Sequence, residues 1–144
     1  MTRPGRDAHR SIVATVRNVI AVVDDEEPIR KALSRLMGTA GYEVETFESG
    51  TAFLARVEQH APDCLVLDLH MPGVNGFEVQ ARLGQTAPSL PIVVITGHDI
   101  PEAGERVLAA GAAAYLRKPV DGQTLLDAIA SAIAGVSAKG VGNG

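Results

Sequence analysis

The chain has few aromatic residues, no tryptophan and a single cysteine, and each shortage narrows what the protein can be. Aromatic residues make up 3% of its 144 residues, so aliphatic side chains must fill the core. Cys64 cannot form an internal disulfide, and its apolar surroundings predict a small buried residue in a protein of a reducing compartment. No apolar stretch approaches the roughly 20 residues of a membrane span, and no signal-peptide core is recognisable. We therefore expect a cytoplasmic globular protein with no membrane partner.

Charge is distributed unevenly along the sequence. The formal net charge is −4, and the first 17 residues carry four arginines against one aspartate, or +3, which leaves −7 for the remainder. Nucleic-acid binding depends on neutralising phosphates, so this acidic domain predicts no direct nucleic-acid contact. We interpret residues 1–17 as a flexible basic N-terminal extension, with a contact arm as the alternative, and residues 136–144 as a disordered Gly-rich tail. Residues 18–135 then form one domain.

Strand-like and helix-like segments alternate through this domain. Ile29, Leu33 and Leu36 form the stripe of an amphipathic helix directly after a first apolar strand. The alternating segment YEVETF predicts an edge strand with one solvated face. Five strands alternating with five helices indicate an α/β, doubly wound, five-stranded parallel sheet. Right-handed crossovers and an edge position for the second strand favour the order 2-1-3-4-5 of a flavodoxin-like (βα)5 fold.

Four of the apolar segments stop abruptly at a polar or charged residue. VIAVV is followed by Asp24 and Asp25, CLVL by Asp68, PIVVI by Thr96, and AAAYLR by Lys118. Continuous apolar runs are typical of strands buried on both faces of a parallel sheet. The carboxyl ends of such strands lie along one edge, where open α/β sheets bind their ligands. The sequence therefore predicts that these side chains meet in one crevice.

The chemistry of this crevice points to a metal ion and a phosphoryl group. Like charges about 5 Å apart repel by about 3 kcal/mol at an effective dielectric near 20, and a hard divalent cation removes that cost. Mg²⁺ fits best because it takes a few carboxylates together with waters. Asp68 stands centrally before an exposed turn and is the predicted phosphoryl acceptor, while Asp24 and Asp25 hold the metal. Lys118 neutralises the phosphoryl charge, and Thr96 donates its hydroxyl to a phosphoryl oxygen.

In this order and at these separations, the residues resemble the receiver domain of two-component response regulators over about residues 18–135. The segments that carry the resemblance are the acidic pair, LVLDLHMPGVNG, VVITGH and AYLRKPV. The VITGH segment and the MPG turn look most like the FixJ-type branch. The resemblance implies Mg²⁺ bound by Asp25, Asp68 and the backbone carbonyl of His70, with Asp24 assisting through water. It also implies phosphotransfer to Asp68 from a phosphohistidine on a sensor histidine kinase or a phosphotransfer protein.

The resemblance further implies a signalling switch that promotes only its own phosphorylation and dephosphorylation. Phosphorylated Asp68 draws Thr96 inward, and Tyr115 follows into the vacated space. The surface of the fourth helix, fifth strand and fifth helix then changes its affinity for partners, including a second copy of the chain. Lys118–Pro119 is expected to be cis. A stand-alone receiver would dock to a protein or relay phosphate, whereas a fragment of a longer regulator would control a DNA-binding output domain.

Two histidines flank the predicted acceptor. His70 lies two residues after Asp68, and His98 lies two residues after Thr96. In the family that the sequence resembles, side chains at these positions tune the lifetime of the aspartyl phosphate. Imidazoles there can orient water or shield the phosphoryl group. Exposed loop histidines without a role, and a metal site formed by the pair, are the alternatives.

An enzyme is the alternative function. A small phosphohydrolase can also pass through an aspartyl phosphate. Phosphatases of the haloacid dehalogenase type usually carry a second aspartate two residues after the nucleophile, where this sequence has His70, and we find no cap domain. A flavin-binding doubly wound protein is less favoured, because the sequence lacks aromatic and Gly/Ser/Thr-rich phosphate loops.

Overall fold

A computed structural model describes residues 17–98 and 100–142 of the chain, with side chains up to Val136. Strands and helices alternate through this part of the chain, in the order that the sequence predicts. The elements are β1 Val19–Val23, α1 Glu27–Thr39, β2 Glu43–Phe47, α2 Gly50–Val57, β3 Cys64–Asp68, α3 Gly76–Thr86, β4 Ile92–Thr96, α4 Ala103–Ala109, β5 Ala114–Arg117 and α5 Gly122–Gly142.

The strands form one parallel sheet in the order β2-β1-β3-β4-β5, which confirms the predicted flavodoxin-like topology. Every residue of β3 and β4 is buried, as their continuous apolar runs predict. The edge strand β2 is partly exposed along its length. In the register of the sheet, Val23 of β1 pairs with Leu67 of β3, and Asp68 pairs with Ile95 of β4. The central strands therefore end at the same edge.

Helices cover both faces of the sheet. Alternate residues of each central strand point to opposite faces, so two apolar clusters form. One cluster joins β1, β3 and β4 to α2, α3 and α4 through side chains such as Phe53, Val79 and Val107. The other joins the same strands to α1 and α5 through side chains such as Met37 and Leu125. The strands are thus held rigidly, and the loops at the sheet edge carry the polar residues.

Local sequence signals set where the helices begin. Ser49 caps α2 by accepting a hydrogen bond from the backbone N–H of Ala52, as its position in the sequence predicts. Asn75 and Glu78 form a reciprocal capping box at the start of α3. Helix α4 begins differently, because Glu102 has a left-handed backbone (φ +62°) and gives no side-chain cap. The start of α4 is therefore its weakly fixed end.

Helix α5 extends into the segment for which the sequence predicts a disordered tail. The sequence predicts a disordered tail over residues 136–144, but α5 continues to Gly142. The prediction was drawn from glycine content and from the lack of an apolar period. A glycine inside a helix costs only about 1 kcal/mol relative to alanine, and once a helix has formed each further residue adds a hydrogen bond. Glycines among alanine, serine and valine therefore do not stop the helix.

The predicted N-terminal extension, residues 1–17, lies outside the described residues apart from Arg17. In the part of the chain that the structure does describe, no helix combines the length and the apolar character needed to cross a membrane.

Gly76, the first residue of α3, lies directly against the backbone that carries the predicted acceptor. A Cβ atom added here would be 2.6 Å from the Cα of Leu69 and 2.9 Å from the carbonyl oxygen of Asp68. The backbone N–H of Gly76 also donates to the Leu69 carbonyl at 2.9 Å. Helix α3 is therefore packed tightly onto the loop that follows β3, and the two atoms nearest to the added Cβ belong to the backbone, which cannot move aside as a side chain could.

We expect Gly76→Ala to lower the free energy of unfolding by about 1–3 kcal/mol, as overpacking usually does. Urea denaturation measures this change. Gly84→Ala is the matched control, because it lies in the same helix with nothing within 4 Å of an added Cβ. The control should raise stability by up to about 1 kcal/mol through helix propensity. Equal effects of the two substitutions would contradict the packing argument.

Candidate functional site

The acidic residues predicted from the sequence meet at one edge of the sheet. One carboxylate oxygen from each of Asp24, Asp25 and Asp68 lies within 4.8 Å of the other two. Asp24 directly follows β1 and is 0% exposed, and Asp68 ends β3 and is 2% exposed, whereas Asp25 is open to solvent. Adjacency of β1 and β3 in the sheet creates this cluster. It is a concentration of negative charge with one open side.

Asp24 is fixed through both its backbone and its side chain. Its backbone N–H donates to the Phe47 carbonyl at 3.1 Å, and its carbonyl accepts a 2.7 Å hydrogen bond from the guanidinium of Arg30. Its Oδ1 accepts a hydrogen bond from the backbone N–H of Glu26 at 2.9 Å. The buried Oδ2 lies 2.9 Å from Nζ of Lys118, yet among the described residues no donor is aligned to bond to it. That oxygen keeps lone pairs available for a cation.

Lys118 supplies positive charge to the cluster. Its Nζ lies 2.9 Å from Oδ2 of Asp24 and 3.6 Å from Oδ1 of Asp68. The residue follows β5, its backbone N–H donates to the Thr96 carbonyl at 2.8 Å, and its peptide bond to Pro119 is cis, as expected. Burial lowers the pKa of Lys118, but the close contact of its ammonium with the Asp24 carboxylate and the charge of Asp68 outweigh burial and raise the pKa above its ordinary value. The ammonium therefore stays charged.

Asp68 carries an unusual proton affinity. Burial raises the pKa of its carboxyl group from 3.8 to about 7, and the negative charge of Asp24 adds to this effect. The charge of Lys118 and the hydrogen bond from the His70 backbone N–H, 3.3 Å from Oδ1, lower the pKa but do not compensate. In the metal-free site, ionised Asp68 is thus poorly stabilised. A cation held by the cluster would favour the ionised form.

Thr96 and Tyr115 lie on the strands beyond Asp68. Thr96 is the last residue of β4 and is fully buried, and its Oγ1 both accepts from the His98 N–H at 3.1 Å and donates to the His98 carbonyl at 3.3 Å. Tyr115 of β5 is half-buried, and its ring lies 3.1 Å from the place where a Cβ of Gly104 would be. Gly104 therefore leaves the room in which Tyr115 rests against α4.

His70 lies in the loop after β3 and His98 in the loop after β4, and their rings are in contact. Both residues are exposed, with ring centroids 3.8 Å apart and ring planes inclined by 32°. In the sequence, each histidine lies two residues beyond a predicted site residue, and the two site residues end neighbouring strands. That spacing was the available sign of a contact between the two histidines. Sequence reasoning also missed Arg30, whose guanidinium holds the Asp24 backbone, since a helical arginine gives no sign of its partner.

Comparisons with known proteins match one family over nearly the whole domain. Residues 20–130 match the family model described as response regulator receiver domain. Response regulator protein TmoT of Ectopseudomonas mendocina is 42% identical over 117 residues, covering 81% of this chain and 53% of that protein. Transcriptional regulatory protein FixJ of Rhizobium meliloti (strain 1021) is 39% identical over 111 residues, covering 76% and 54%. The crystal structure of FIXJ-N has a TM-score of 0.75 at 34% identity, covering 82% of this chain and 94% of that one.

The chain spans about half the length of the curated relatives it matches. The comparisons therefore concern one domain, and they bear out the predicted resemblance, its FixJ-like branch included.

The raised pKa of Asp68 predicts how stability depends on pH in metal-free buffer. The unfolded chain loses this proton near 3.8, but the folded protein keeps it until about 7, so the folded state binds more protons between these values. Stability is therefore lost as the pH rises through this window, by about 2–4 kcal/mol from this group. Urea denaturation with a chelator at a series of pH values measures the loss. Asp68→Asn removes the titrating group and should flatten the profile, and parallel profiles would refute the assignment.

Proposed function

Because the chain belongs to the response regulator receiver domain family, we propose that it is a signalling switch whose phosphoryl acceptor is Asp68. Receiver domains of response regulators are phosphorylated by histidine kinases, so the donor is a sensor histidine kinase or a phosphotransfer protein that presents a phosphohistidine. The observation that carries the proposal is the buried acidic cluster with Lys118 beside both Asp24 and Asp68. The function is control of partners rather than turnover of a substrate.

The cluster fits a magnesium ion. Its donors are hard carboxylate oxygens, and the buried Oδ2 of Asp24 lacks an aligned donor among the described residues, as expected of a group that shares a cation. We assign Asp25, Asp68 and the backbone carbonyl of His70 as direct ligands, with Asp24 acting through water. When bound, Mg²⁺ supplies neutralisation of the charge that gathers on the phosphoryl oxygens.

The residues of the chain perform the transfer itself. A carboxylate oxygen of Asp68 attacks the phosphorus, the phosphorus–nitrogen bond to the donor imidazole breaks, and that imidazole keeps the bonding electron pair and takes up a proton. Lys118, already 3.6 Å from Oδ1 of Asp68, stabilises the charge on the transferred group. Since the raised pKa of Asp68 reflects burial and its acidic neighbours, neutralising those neighbours also frees its carboxylate to react.

Phosphorylation is then transmitted to a surface. Thr96 gives up its hydrogen bond to the His98 carbonyl and donates to a phosphoryl oxygen, and Tyr115 turns inward from its place beside Gly104. The change reaches the surface of α4, β5 and α5, where Leu108 is 49% exposed. This is a two-state equilibrium that new charge-assisted hydrogen bonds displace. We propose that a second copy of the chain pairs through this surface.

The relatives suggest what the switch controls. FixJ is a transcriptional regulatory protein and NtrC of Escherichia coli is a DNA-binding transcriptional regulator. We propose that the chain, as the receiver of a longer cytoplasmic regulator, controls transcription through a DNA-binding part, without contacting nucleic acid itself. The net negative charge of the chain agrees with a receiver that does not itself contact nucleic acid. We also propose that the side chains of His70 and His98, which follow the acceptor and the switch residue by two positions each, set the lifetime of the phosphorylated state.

Incubation with acetyl phosphate and Mg²⁺, followed by intact mass spectrometry, tests the acceptor. We expect the chain to gain one phosphoryl group. The gain should be absent in Asp68→Asn and when a chelator removes the metal. In Lys118→Ala, phosphorylation should be at least about tenfold slower because the charge stabilisation by the ammonium is lost. Asp127→Asn is the matched control, as an exposed aspartate of α5. Rapid multiple turnover of varied phosphate esters would instead support a small phosphohydrolase.

Calorimetric titration with Mg²⁺ tests the metal site separately. We expect Asp25→Asn and Asp68→Asn each to weaken binding by at least about tenfold, since a neutral amide replaces a charged oxygen ligand. Asp127→Asn should bind as the parent does. Undiminished affinity in both cluster variants would show that the ion, if it binds, lies elsewhere.

A further inference from the structure

His70 and His98 hold the two groups that phosphorylation is proposed to bring together. The backbone N–H of His70 donates to Oδ1 of Asp68 at 3.3 Å. The backbone of His98 engages the Thr96 hydroxyl twice, with its N–H as donor at 3.1 Å and its carbonyl as acceptor at 3.3 Å. One histidine is thus tied by its main chain to the acceptor and the other to the switch hydroxyl.

The side chains of the same two residues contact each other. One ring comes from the loop after β3 and the other from the loop after β4, and their centroids are 3.8 Å apart. Both residues are exposed, so burial in the core does not force this contact. Stacked aromatic rings attract each other beyond the area that they bury, and we apply the same reasoning to these two imidazole rings. The stack therefore joins two loops that are otherwise separate in the sequence.

We propose that the His70–His98 stack is a latch that holds the Thr96 hydroxyl in its unphosphorylated position. Thr96 can donate to a phosphoryl oxygen only after it releases the His98 carbonyl. In the latch, the contact between the His98 and His70 rings holds the segment that carries this carbonyl, and movement of that segment parts the rings. Both histidines are positioning residues that act through Thr96. The latch belongs to the unphosphorylated protein, while its effect on signalling rests on the proposed function.

The latch is one way in which the two histidines can act. The other is that their ring nitrogens orient water at the phosphoryl group, and the two ideas predict different results. In a latch the two rings act only together, so removing either one opens it and removing the second changes little more. A flat ring without nitrogen atoms also preserves it. His70→Phe and His70→Ala therefore separate the two ideas, because phenylalanine keeps a stacking surface and loses the imidazole chemistry.

Hydrogen exchange of the His98 backbone amide, followed by NMR, tests the latch without any phosphorylation. This amide is the donor to Oγ1 of Thr96. In His70→Ala we expect it to exchange about two- to tenfold faster, the factor that loss of one aromatic contact allows. His70→Phe should retain the parent rate, and His60→Ala, an exposed histidine in the loop between α2 and β3, is the control. An unchanged rate in His70→Ala would overturn the proposal.

A double-mutant cycle measures the consequence for signalling. We expect His70→Ala and His98→Ala each to speed phosphorylation by acetyl phosphate about two- to tenfold, and the double variant to be no faster than the faster single variant. Effects that multiply would show two independent side chains and refute the latch. Failure of the parent protein to take up phosphate would count against Asp68 as acceptor, and the exchange experiment would still decide on the latch.

Discussion

Mutual repulsion of three carboxylates is the constraint around which the chain is arranged. Asp24 and Asp68 are buried at the ends of adjacent strands, where water cannot screen their charge, and Lys118 offsets only part of it. Burial and then the charge of Asp24 raise the pKa of Asp68, so its ionised form is poorly stabilised. A cation would offset the excess negative charge, and a transferred phosphoryl group would add to it. The proposed metal binding and the proposed phosphoryl transfer therefore both depend on this unbalanced charge.

The rest of the fold holds these charged groups in place, so that they cannot move apart. Strands β3 and β4 are buried along their whole length between two apolar clusters, and Gly76 lets α3 pack against the backbone of Asp68. A close-packed core cannot deform gradually, so a change at the sheet edge is confined to the loops and to side chains that have space. The stacked histidines lie in such loops, Tyr115 lies beside Gly104, and Thr96 is the buried residue through which we propose that they are linked to Asp68.

The fold and most of the site could be predicted because their signals are local. Apolar runs identified the strands, the edge pattern of YEVETF ordered the sheet, and the residues that end the runs located Asp68, Thr96 and Lys118. The contacts that the sequence did not predict depend on where side chains point. The contact between His70 and His98, and the hold of Arg30 on the Asp24 carbonyl, follow from loop and helix geometry that residue spacing does not encode. The prediction of a tail over residues 136–144 rested on composition, which does not encode how far α5 runs.

The scarcity of aromatic residues has a consequence for observing the protein at work. There is no tryptophan, and the two tyrosines lie in different surroundings: Tyr42 packs against the cluster that α1 and α5 cover, and Tyr115 rests against α4. Ultraviolet emission of the chain is therefore dominated by these phenols, with no indole to mask them. Tyr115 lies where the conformational change is proposed to occur, and Tyr42 would serve as an internal reference. The proposed movement of Tyr115 would thus be observable in the emission of the chain itself, with no dye or label attached.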